Sequence, residues 1–276
     1  MGQAKLNRDR SFPNDLVAIW EADLCHHFAV ALARRTGWLL HIDFLTTKLP
    51  SDPKPAEHEI PLRVYVADAH LGIFDARGIF SYMDFMPRIM TPLAQRSCPP
   101  GYPAKGIRSQ FLSEEKLAEI LCPADEDRIT KIDTILASKP QYLAAIPKRA
   151  EPRLPAYEAA RFSLGQCRVF AQALGDLTGR TPVDLCVTRF HGWAHGMDRS
   201  ADGYVHTLIV NGDGTGEDSW GRRPIEEIAR SFGAAEWRFD EASHRRNLAR
   251  MRANSPQLYD EAYADAKGLI HAHFLR

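Results

Sequence analysis

Three residues in the second half of the chain have types and spacing suited to nucleophilic catalysis: Cys167, His206 and Asp218. A thiol is mostly protonated at neutral pH, so a nucleophilic cysteine needs a helix N-terminus, an imidazole or both beside it. A histidine accepts the thiol proton, and a carboxylate on its second nitrogen sets the tautomer. The set therefore predicts cysteine-dependent acyl transfer.

The segment that begins at this cysteine repeats an earlier one. Residues 25–38 and 167–180, each written from its cysteine, agree at seven of fourteen positions, against roughly one agreement expected by chance. A second pair of blocks follows, residues 63–78 in the first half and 206–221 in the second. The chain therefore contains an internal duplication.

The two copies differ at the position of the base. Arg63 and Asp75 stand in the first copy where His206 and Asp218 stand in the second. Arginine stays protonated in proteins and cannot deprotonate a thiol. We therefore predict that Cys25 and its two partners form a degenerate counterpart, and that the first copy packs against or shapes the active one.

Sequence patterns predict the elements that position these residues. In the second copy they predict helices over 156–162 and 167–177, a helix that starts at Pro224 within 222–233, strands over 183–190 and 204–211, and a turn at 211–216 leading to a strand with Asp218. The thiol of Cys167 then lies at the positive end of a helix, whose free amides face a reacting carbonyl. Asp218 lies on the antiparallel neighbour of the strand that carries His206.

The first half shows the same order of elements. The pattern predicts one helix or two abutting helices over 15–36, ended by Gly37, and then two strands around a turn within 61–78. Two further helices are predicted over 113–121 and 125–136. The elements together predict an α+β fold.

The string GQCRVFA at 165–171 resembles the GQCWVFA active-site motif of transglutaminases, and the later VH…ED pattern resembles that family's His and Asp strands. Papain-like cysteine hydrolases share the topology of a cysteine helix followed by a histidine strand. The resemblance covers roughly residues 160–230. It implies Cys167 as nucleophile, His206 as base and Asp218 as orienting acid. Arg168 stands where the motif has Trp, and neither crosslinking activity nor calcium dependence is carried over.

The resemblance and the duplication together predict two tandem papain-like or transglutaminase-like repeats, each a Cys-bearing helix packed on a small antiparallel sheet. The predicted segments are a degenerate N-terminal repeat (1–86), a helical, Pro-rich connection (87–155), a catalytic C-terminal repeat (156–239) and a helical tail (240–276).

Other residues near the proposed nucleophile have candidate roles. Gln166 is a candidate oxyanion group, and Trp193 is a candidate apolar wall for the substrate. His191 and His195 stand four residues apart and form an alternative zinc set with His206, but their glycine-rich spacing favours a loop. We therefore expect neither a metal nor another cofactor.

Composition narrows the class of partner. The chain of 276 residues has 35 basic and 35 acidic residues, which argues against nucleic acid or an anionic membrane as the partner. The expected substrate is a protein, peptide or other amide. The N-terminus lacks a signal peptide's apolar region, and the five cysteines lack CxxC spacing. We therefore expect a cytoplasmic protein, with non-classical secretion left open.

Two competing hypotheses accompany this interpretation. The first is a non-catalytic binding protein built on a decayed papain-like fold, in which Cys167 has an ordinary pKa. The second is a metal-dependent hydrolase that uses the three histidines. The sequence does not choose among peptidase, deamidase and transglutaminase outcomes, because all three share a thioester acyl-enzyme.

Overall fold

Two five-stranded antiparallel sheets organise the part of the chain that the computed structural model describes, residues 12–47, 59–68, 72–148, 153–163, 165–191 and 202–275. One sheet lies in the unit Met1–Arg149 and the other in the unit Ala150–Arg276. Helices accompany each sheet, so the protein has a mixed α+β fold, as the sequence predicts.

The first unit has two helices before its first four strands, and the fifth strand lies between two further groups of helices. In order they are α1 (Asn14–Glu21), α2 (His26–Thr36), β1 (Leu39–Thr46), β2 (Ile60–Ala67), β3 (Gly72–Asp75), β4 (Gly78–Ser81), α3 (Tyr82–Phe85), a π-helical turn (Met86–Met90), α4 (Thr91–Ser97), β5 (Gly106–Leu112), α5 (Glu114–Ile120), α6 (Glu126–Ala137) and α7 (Pro140–Ala144).

The second unit begins with a short helix and the helix that starts at Cys167, and it ends in two long helices. Its elements are α8 (Ala156–Ser163), α9 (Cys167–Thr178), β6 (Pro182–Phe190), β7 (Tyr204–Val210), β8 (Thr215–Asp218), β9 (Gly221–Pro224), α10 (Ile225–Ser231), β10 (Ala234–Asp240), α11 (Glu241–Asn254) and α12 (Pro256–His273).

The two sheets have the same connectivity. The first has the order β4-β3-β2-β1-β5, and the second, taken from its opposite edge, has the order β9-β8-β7-β6-β10. In each, four sequential strands pair antiparallel with their neighbours, and the fifth pairs with the first. The shared strand order agrees with the duplication in the sequence.

Several predicted elements are confirmed by the structure. The cysteine helix is α9, the strands over 183–190 and 204–211 are β6 and β7, and the helices over 113–121 and 125–136 are α5 and α6. The region 15–36 forms two helices rather than one. They are separated by a turn in which Leu24 and Cys25 both have φ of 60°.

Strand β1, which lies between β2 and β5 in the first sheet, has no counterpart among the predictions. Its sequence LLHIDFLT alternates between apolar and polar residues only over its middle, LHIDF, and all eight residues are buried, so it is not typical of a strand with one exposed face. Strand β5 was also not predicted. It lies within 87–155, the predicted connection, and pairs with β1 along its whole length.

The helical tail at 240–276 is confirmed, and it contributes to the core of the second unit. Leu248 of α11 and Tyr259 and Ala262 of α12 are buried in one cluster with Val169 of α9. The tail therefore supports the helix that begins at Cys167.

The described residues contain no single helix that is long and apolar enough to cross a membrane. Helices α1 and α2 reach that length and apolar character only when they are taken together, and the angle between them is 103°.

A tight contact fixes the end of α9 against the strand that follows. A Cβ atom added at Gly175 would lie 2.6 Å from the Arg180 carbonyl oxygen and 3.0 Å from Pro182 Cδ. At Gly268, in α12, an added Cβ meets nothing within 4 Å.

We predict opposite signs for two glycine-to-alanine substitutions. Gly175→Ala destabilises the protein by about 1–3 kcal/mol because its new methyl overlaps backbone. Gly268→Ala stabilises it by about 0.5–1 kcal/mol because alanine costs less conformational entropy in a helix. The free energy of unfolding from urea titration measures both. A stabilising Gly175→Ala would contradict the close packing of α9 on the turn before β6.

Candidate active site

Cys167 is the first residue of α9, at the point where the chain enters the helix. Gly165, with φ of +105°, supports the turn before the helix, and the first-turn amides of a helix have no partner inside it. Cys167 is buried, with 6% of its surface exposed. Its sulfur lies 3.0 Å from the hydroxyl oxygen of Tyr204 on β7.

His206 and Asp218 lie on the paired strands β7 and β8, and both are buried. His206 Nε2 is 3.0 Å from Asp218 Oδ2. The imidazole also stacks on the ring of Phe232, with centroids 4.3 Å apart. These contacts fix both the plane and the tautomer of the histidine.

Asp218 is held in its ionised form by three donors. Its oxygens accept hydrogen bonds from His206 Nε2, from an Arg223 nitrogen at 2.9 Å and from the Trp220 backbone N–H at 2.9 Å. Burial acts to raise the pKa of Asp218, but the charge of Arg223 and the contact with His206 outweigh it and lower the pKa to about 2.

The second ring nitrogen of His206, Nδ1, does not contact Asp218. It is buried and has no hydrogen-bond partner among the described residues. It is the atom that remains for proton exchange with Cys167. Burial acts to raise the pKa of the Cys167 thiol, but His206, Tyr204 and the charge of Arg168 outweigh it, so the pKa lies below its ordinary value. Burial acts to lower the pKa of His206, whereas Asp218 and Cys167 raise it to about 9.

These directions describe a thiolate and an imidazolium that stabilise each other. The sulfur and Nδ1 do not yet form a hydrogen bond, which is common before a substrate is bound. The structure thus brings together the three residues that the sequence singled out, on α9, β7 and β8.

A second group of polar residues at the thiol was missed by the sequence analysis. Tyr204 Oη is 3.1 Å from Thr207 Oγ1, and Thr207 donates to Asp184 Oδ1 at 2.8 Å. Arg168 lies over the Tyr204 ring, 3.4 Å from its centroid, and donates to Asp184 at 3.0 Å. The available signal was a charged residue, Asp184, among the apolar residues that begin β6.

Gln166 precedes the nucleophile and lines a cavity of about 430 Å³. Other lining residues are Gly165 and Val169 beside α9, and Met251, Leu258 and Tyr259 on α11 and α12. The side-chain oxygen of Gln166 is buried and has no hydrogen-bond partner in the described part of the structure. Trp193, the candidate substrate wall, lies outside the described residues.

The alternative histidine set is only partly described. His191 ends the β6 region, and its backbone N–H donates to the Gly233 carbonyl oxygen at 2.8 Å. His195 lies outside the described residues, and His206 is committed to Asp218. Within the described ranges, no group of three or more His, Cys, Asp or Glu side chains is placed to hold a metal ion.

The first unit places Cys25, Arg63 and Asp75 in corresponding positions. Cys25 immediately precedes α2 and is fully buried. Arg63 on β2 donates to both oxygens of Asp75 at the end of β3, at 2.8 and 2.9 Å, and to Glu21 at 2.7 Å. Burial raises the pKa of the Cys25 thiol far above its ordinary value, and Arg63 opposes it only in part. His27, beside it in sequence, is paired with Asp23.

We predict that Arg63→Ala destabilises the first unit by about 3–5 kcal/mol, because it leaves the Asp75 carboxylate buried without its cation. Arg77→Ala is the matched control. Arg77 also pairs with Glu21 but is 46% exposed, so its loss costs about 1 kcal/mol or less. Urea unfolding measures both, and equal small effects would contradict a structural role for the buried pair.

We predict that His206→Ala slows alkylation of Cys167 by iodoacetamide at pH 7 by about tenfold or more, since the thiol pKa rises by a unit or more without the imidazolium. Labelling rates for the identified cysteine are measured by mass spectrometry. His191→Ala serves as the control and leaves the rate unchanged. An unchanged labelling rate in His206→Ala would contradict the prediction that the imidazole lowers the pKa of the Cys167 thiol.

Comparison with protein-family models, with curated proteins and with solved structures finds no match for this chain.

Proposed function

We propose that the second unit is a cysteine-dependent amide hydrolase or acyltransferase that works through a thioester acyl-enzyme. The observation that carries the proposal is the buried arrangement of Cys167, His206 and Asp218, in which the thiol pKa is lowered and the imidazole pKa is raised. A cysteine buried only for packing has the opposite shift, and Cys25 shows it.

The reaction begins with the thiolate of Cys167 and the imidazolium of His206. The sulfur attacks the amide carbonyl carbon, and the carbonyl π electrons move to oxygen. The resulting oxyanion is stabilised by the Cys167 backbone N–H and the positive end of α9. His206 gives its Nδ1 proton to the amide nitrogen, the carbon–nitrogen bond breaks, and an amine or ammonia leaves.

The second half of the reaction releases the acyl group. His206, now neutral, takes a proton from water or from an acceptor amine as that nucleophile attacks the thioester carbon. The carbon–sulfur bond breaks and the thiolate and imidazolium are restored. Hydrolysis and acyl transfer therefore differ only in which nucleophile enters, and peptidase and deamidase outcomes differ only in which amine leaves.

Asp218 has a positioning role in this mechanism. It accepts a hydrogen bond from Nε2–H of His206, which leaves Nδ1 as the ring nitrogen available for proton exchange with Cys167. Arg223 and the Trp220 backbone N–H keep the carboxylate in place through its other hydrogen bonds. The carboxylate also stabilises the imidazolium that exists in the resting state.

We also propose that the two units are papain-like or transglutaminase-like repeats. Their common strand order supports this, as does the equivalent placement of a cysteine before a helix and of a cation and an aspartate on the second and third strands. The first unit then has a structural role, because Arg63 replaces the base and Cys25 is buried with a raised pKa.

A peptide or protein amide is the substrate class that the surroundings favour. The cavity beside Gly165 and Gln166 combines the apolar side chains of Met251 and Leu258 with the charge of Arg250. Its volume of about 430 Å³ lies in the range of ordinary ligand pockets. A bound segment there places its next amide near the start of α9.

We predict that Cys167→Ala abolishes amide turnover, by at least about 10³-fold, whereas Cys25→Ala changes it little. Peptide cleavage, ammonia release from glutamine peptides and incorporation of a fluorescent primary amine are assayed together, with mass spectrometry for an acyl group on Cys167. Activity should rise with pH as the thiol ionises and fall as His206 loses its proton near pH 9.

The wild-type protein provides the decisive control. Slow labelling of Cys167 with an ordinary thiol pKa of about 8.5, together with no turnover in any of the three assays, would contradict the enzyme proposal. That result would favour the binding-protein hypothesis. Equal loss from both cysteine substitutions, with both variants folded, would contradict the assignment of the reaction to the second unit.

A further inference from the structure

A chain of hydroxyl groups runs from the proposed nucleophile to a second buried carboxylate. Cys167 Sγ lies 3.0 Å from Tyr204 Oη, which lies 3.1 Å from Thr207 Oγ1. Thr207 in turn lies 2.8 Å from Asp184 Oδ1. This series of hydroxyl groups reaches the sulfur through Tyr204 and does not include His206 or Asp218.

Counting protons along this chain fixes the direction of its hydrogen bonds. Asp184 is ionised: burial acts to raise its pKa, but contacts with His244, Arg168 and Thr207 lower the pKa to about 2. A carboxylate only accepts, so the single hydroxyl proton of Thr207 points to Asp184. Thr207 therefore has no proton to give to Tyr204, and Tyr204 is the donor in their contact.

Tyr204 also has only one hydroxyl proton, and its hydroxyl oxygen contacts the Cys167 sulfur as well as Thr207. When Cys167 is a neutral thiol, the S–H donates to Tyr204 and Tyr204 donates to Thr207, so that every bond points toward Asp184. When Cys167 is a thiolate it only accepts. The Tyr204 proton must then turn from Thr207 to the sulfur for that bond to persist.

The surroundings hold the Tyr204 ring in position for this exchange. Arg168 stacks on the ring at 3.4 Å and donates to Asp184, so one side chain positions both the tyrosine and the carboxylate. Ser243 on α11 also donates to Asp184, at 2.9 Å. A cation over the ring polarises the phenol and makes its O–H a better donor.

We infer that Tyr204 is a further catalytic residue, whose hydroxyl switches its hydrogen bond from Thr207 to the Cys167 sulfur when the thiol ionises and so stabilises the thiolate. The inference rests on the proposed role of Cys167 as nucleophile. No proton is lost from Tyr204 in this step: the thiol proton goes to His206 Nδ1, and the hydroxyl only rotates. After acylation of the sulfur, the hydroxyl returns to Thr207.

The charged and titratable groups that face this site come from four elements. Arg168 lies on α9, His206 and Tyr204 lie on β7, Asp184 lies on β6, and His244 on α11 approaches Asp184 at 3.7 Å. His206 acts on the sulfur directly, so substitution of Tyr204 must leave the imidazole in place for its own effect to be measured.

The test is the pH dependence of iodoacetamide labelling of Cys167 in the full-length chain, for wild type, Tyr204→Phe and Thr207→Val. Tyr204→Phe keeps the ring and its stacking with Arg168 but removes the donor. Loss of one hydrogen bond to a charged group should raise the apparent thiol pKa by about one to two units. Labelling at a pH below the wild-type pKa then slows by about tenfold or more.

Thr207→Val has nearly the same shape and should act in the opposite direction. It removes the Thr207 hydroxyl, so this acceptor no longer competes with the sulfur for the Tyr204 proton. The apparent pKa of Cys167 should therefore stay the same or fall. A general disturbance of the site would raise the pKa in both variants, which separates a specific donor role from a structural one.

The outcomes distinguish this inference from the proposed function. A low thiol pKa in wild type that is unchanged in folded Tyr204→Phe would overturn the role of Tyr204 and leave the enzyme proposal intact. An ordinary thiol pKa in wild type would overturn both. If Tyr204→Phe has a lowered melting temperature, a raised pKa in folded Thr207→Val would still refute the switch, because the switch requires no increase there.

Discussion

A buried cation paired with a buried aspartate across the second and third strands is the interaction on which both units depend. The cation is Arg63 in the first unit and His206 in the second, and the aspartates, Asp75 and Asp218, each end the third strand. Each aspartate also accepts a hydrogen bond from the backbone N–H two residues further on, at 2.8 and 2.9 Å. The pair therefore fixes the strand register and the following turn together.

The chemical difference between the units follows from how many nitrogens of the cation are hydrogen-bonded to carboxylates. The guanidinium of Arg63 donates to both oxygens of Asp75 through Nε and Nη2 and to Glu21 through Nη1, so its charge is neutralised locally. The imidazole of His206 uses one nitrogen for Asp218 and keeps the other, Nδ1, toward the thiol side. One arrangement is complete as a structural ion pair, and the other retains a group able to exchange a proton.

The thiol environments differ for the same reason. Burial alone raises a thiol pKa because the thiolate loses its hydration, and this effect is the largest at both cysteines. At Cys25 the nearest cation is already shared with two carboxylates. At Cys167 the imidazolium, the Tyr204 hydroxyl and Arg168 act together on the sulfur, and they outweigh the desolvation. Arg168, the departure from the transglutaminase-like motif, thus contributes positive charge and orients the tyrosine.

The sequence by itself determined the duplication, the α+β class, the cysteine helix and the identity of the three residues around the thiol. These features depend on local patterns: apolar periodicity, glycine at helix ends, and the correspondence of Arg63 with His206 and of Asp75 with Asp218. Only the tertiary structure decided that β1 is a strand, because its alternation is confined to the five residues LHIDF and its polar side chains are buried rather than exposed, and that β5 completes the first sheet. It also decided which side chains reach the sulfur. Tyr204, Thr207 and Asp184 come from two strands that meet through sheet pairing, and their roles depend on distances and proton counts that no spacing in the sequence contains.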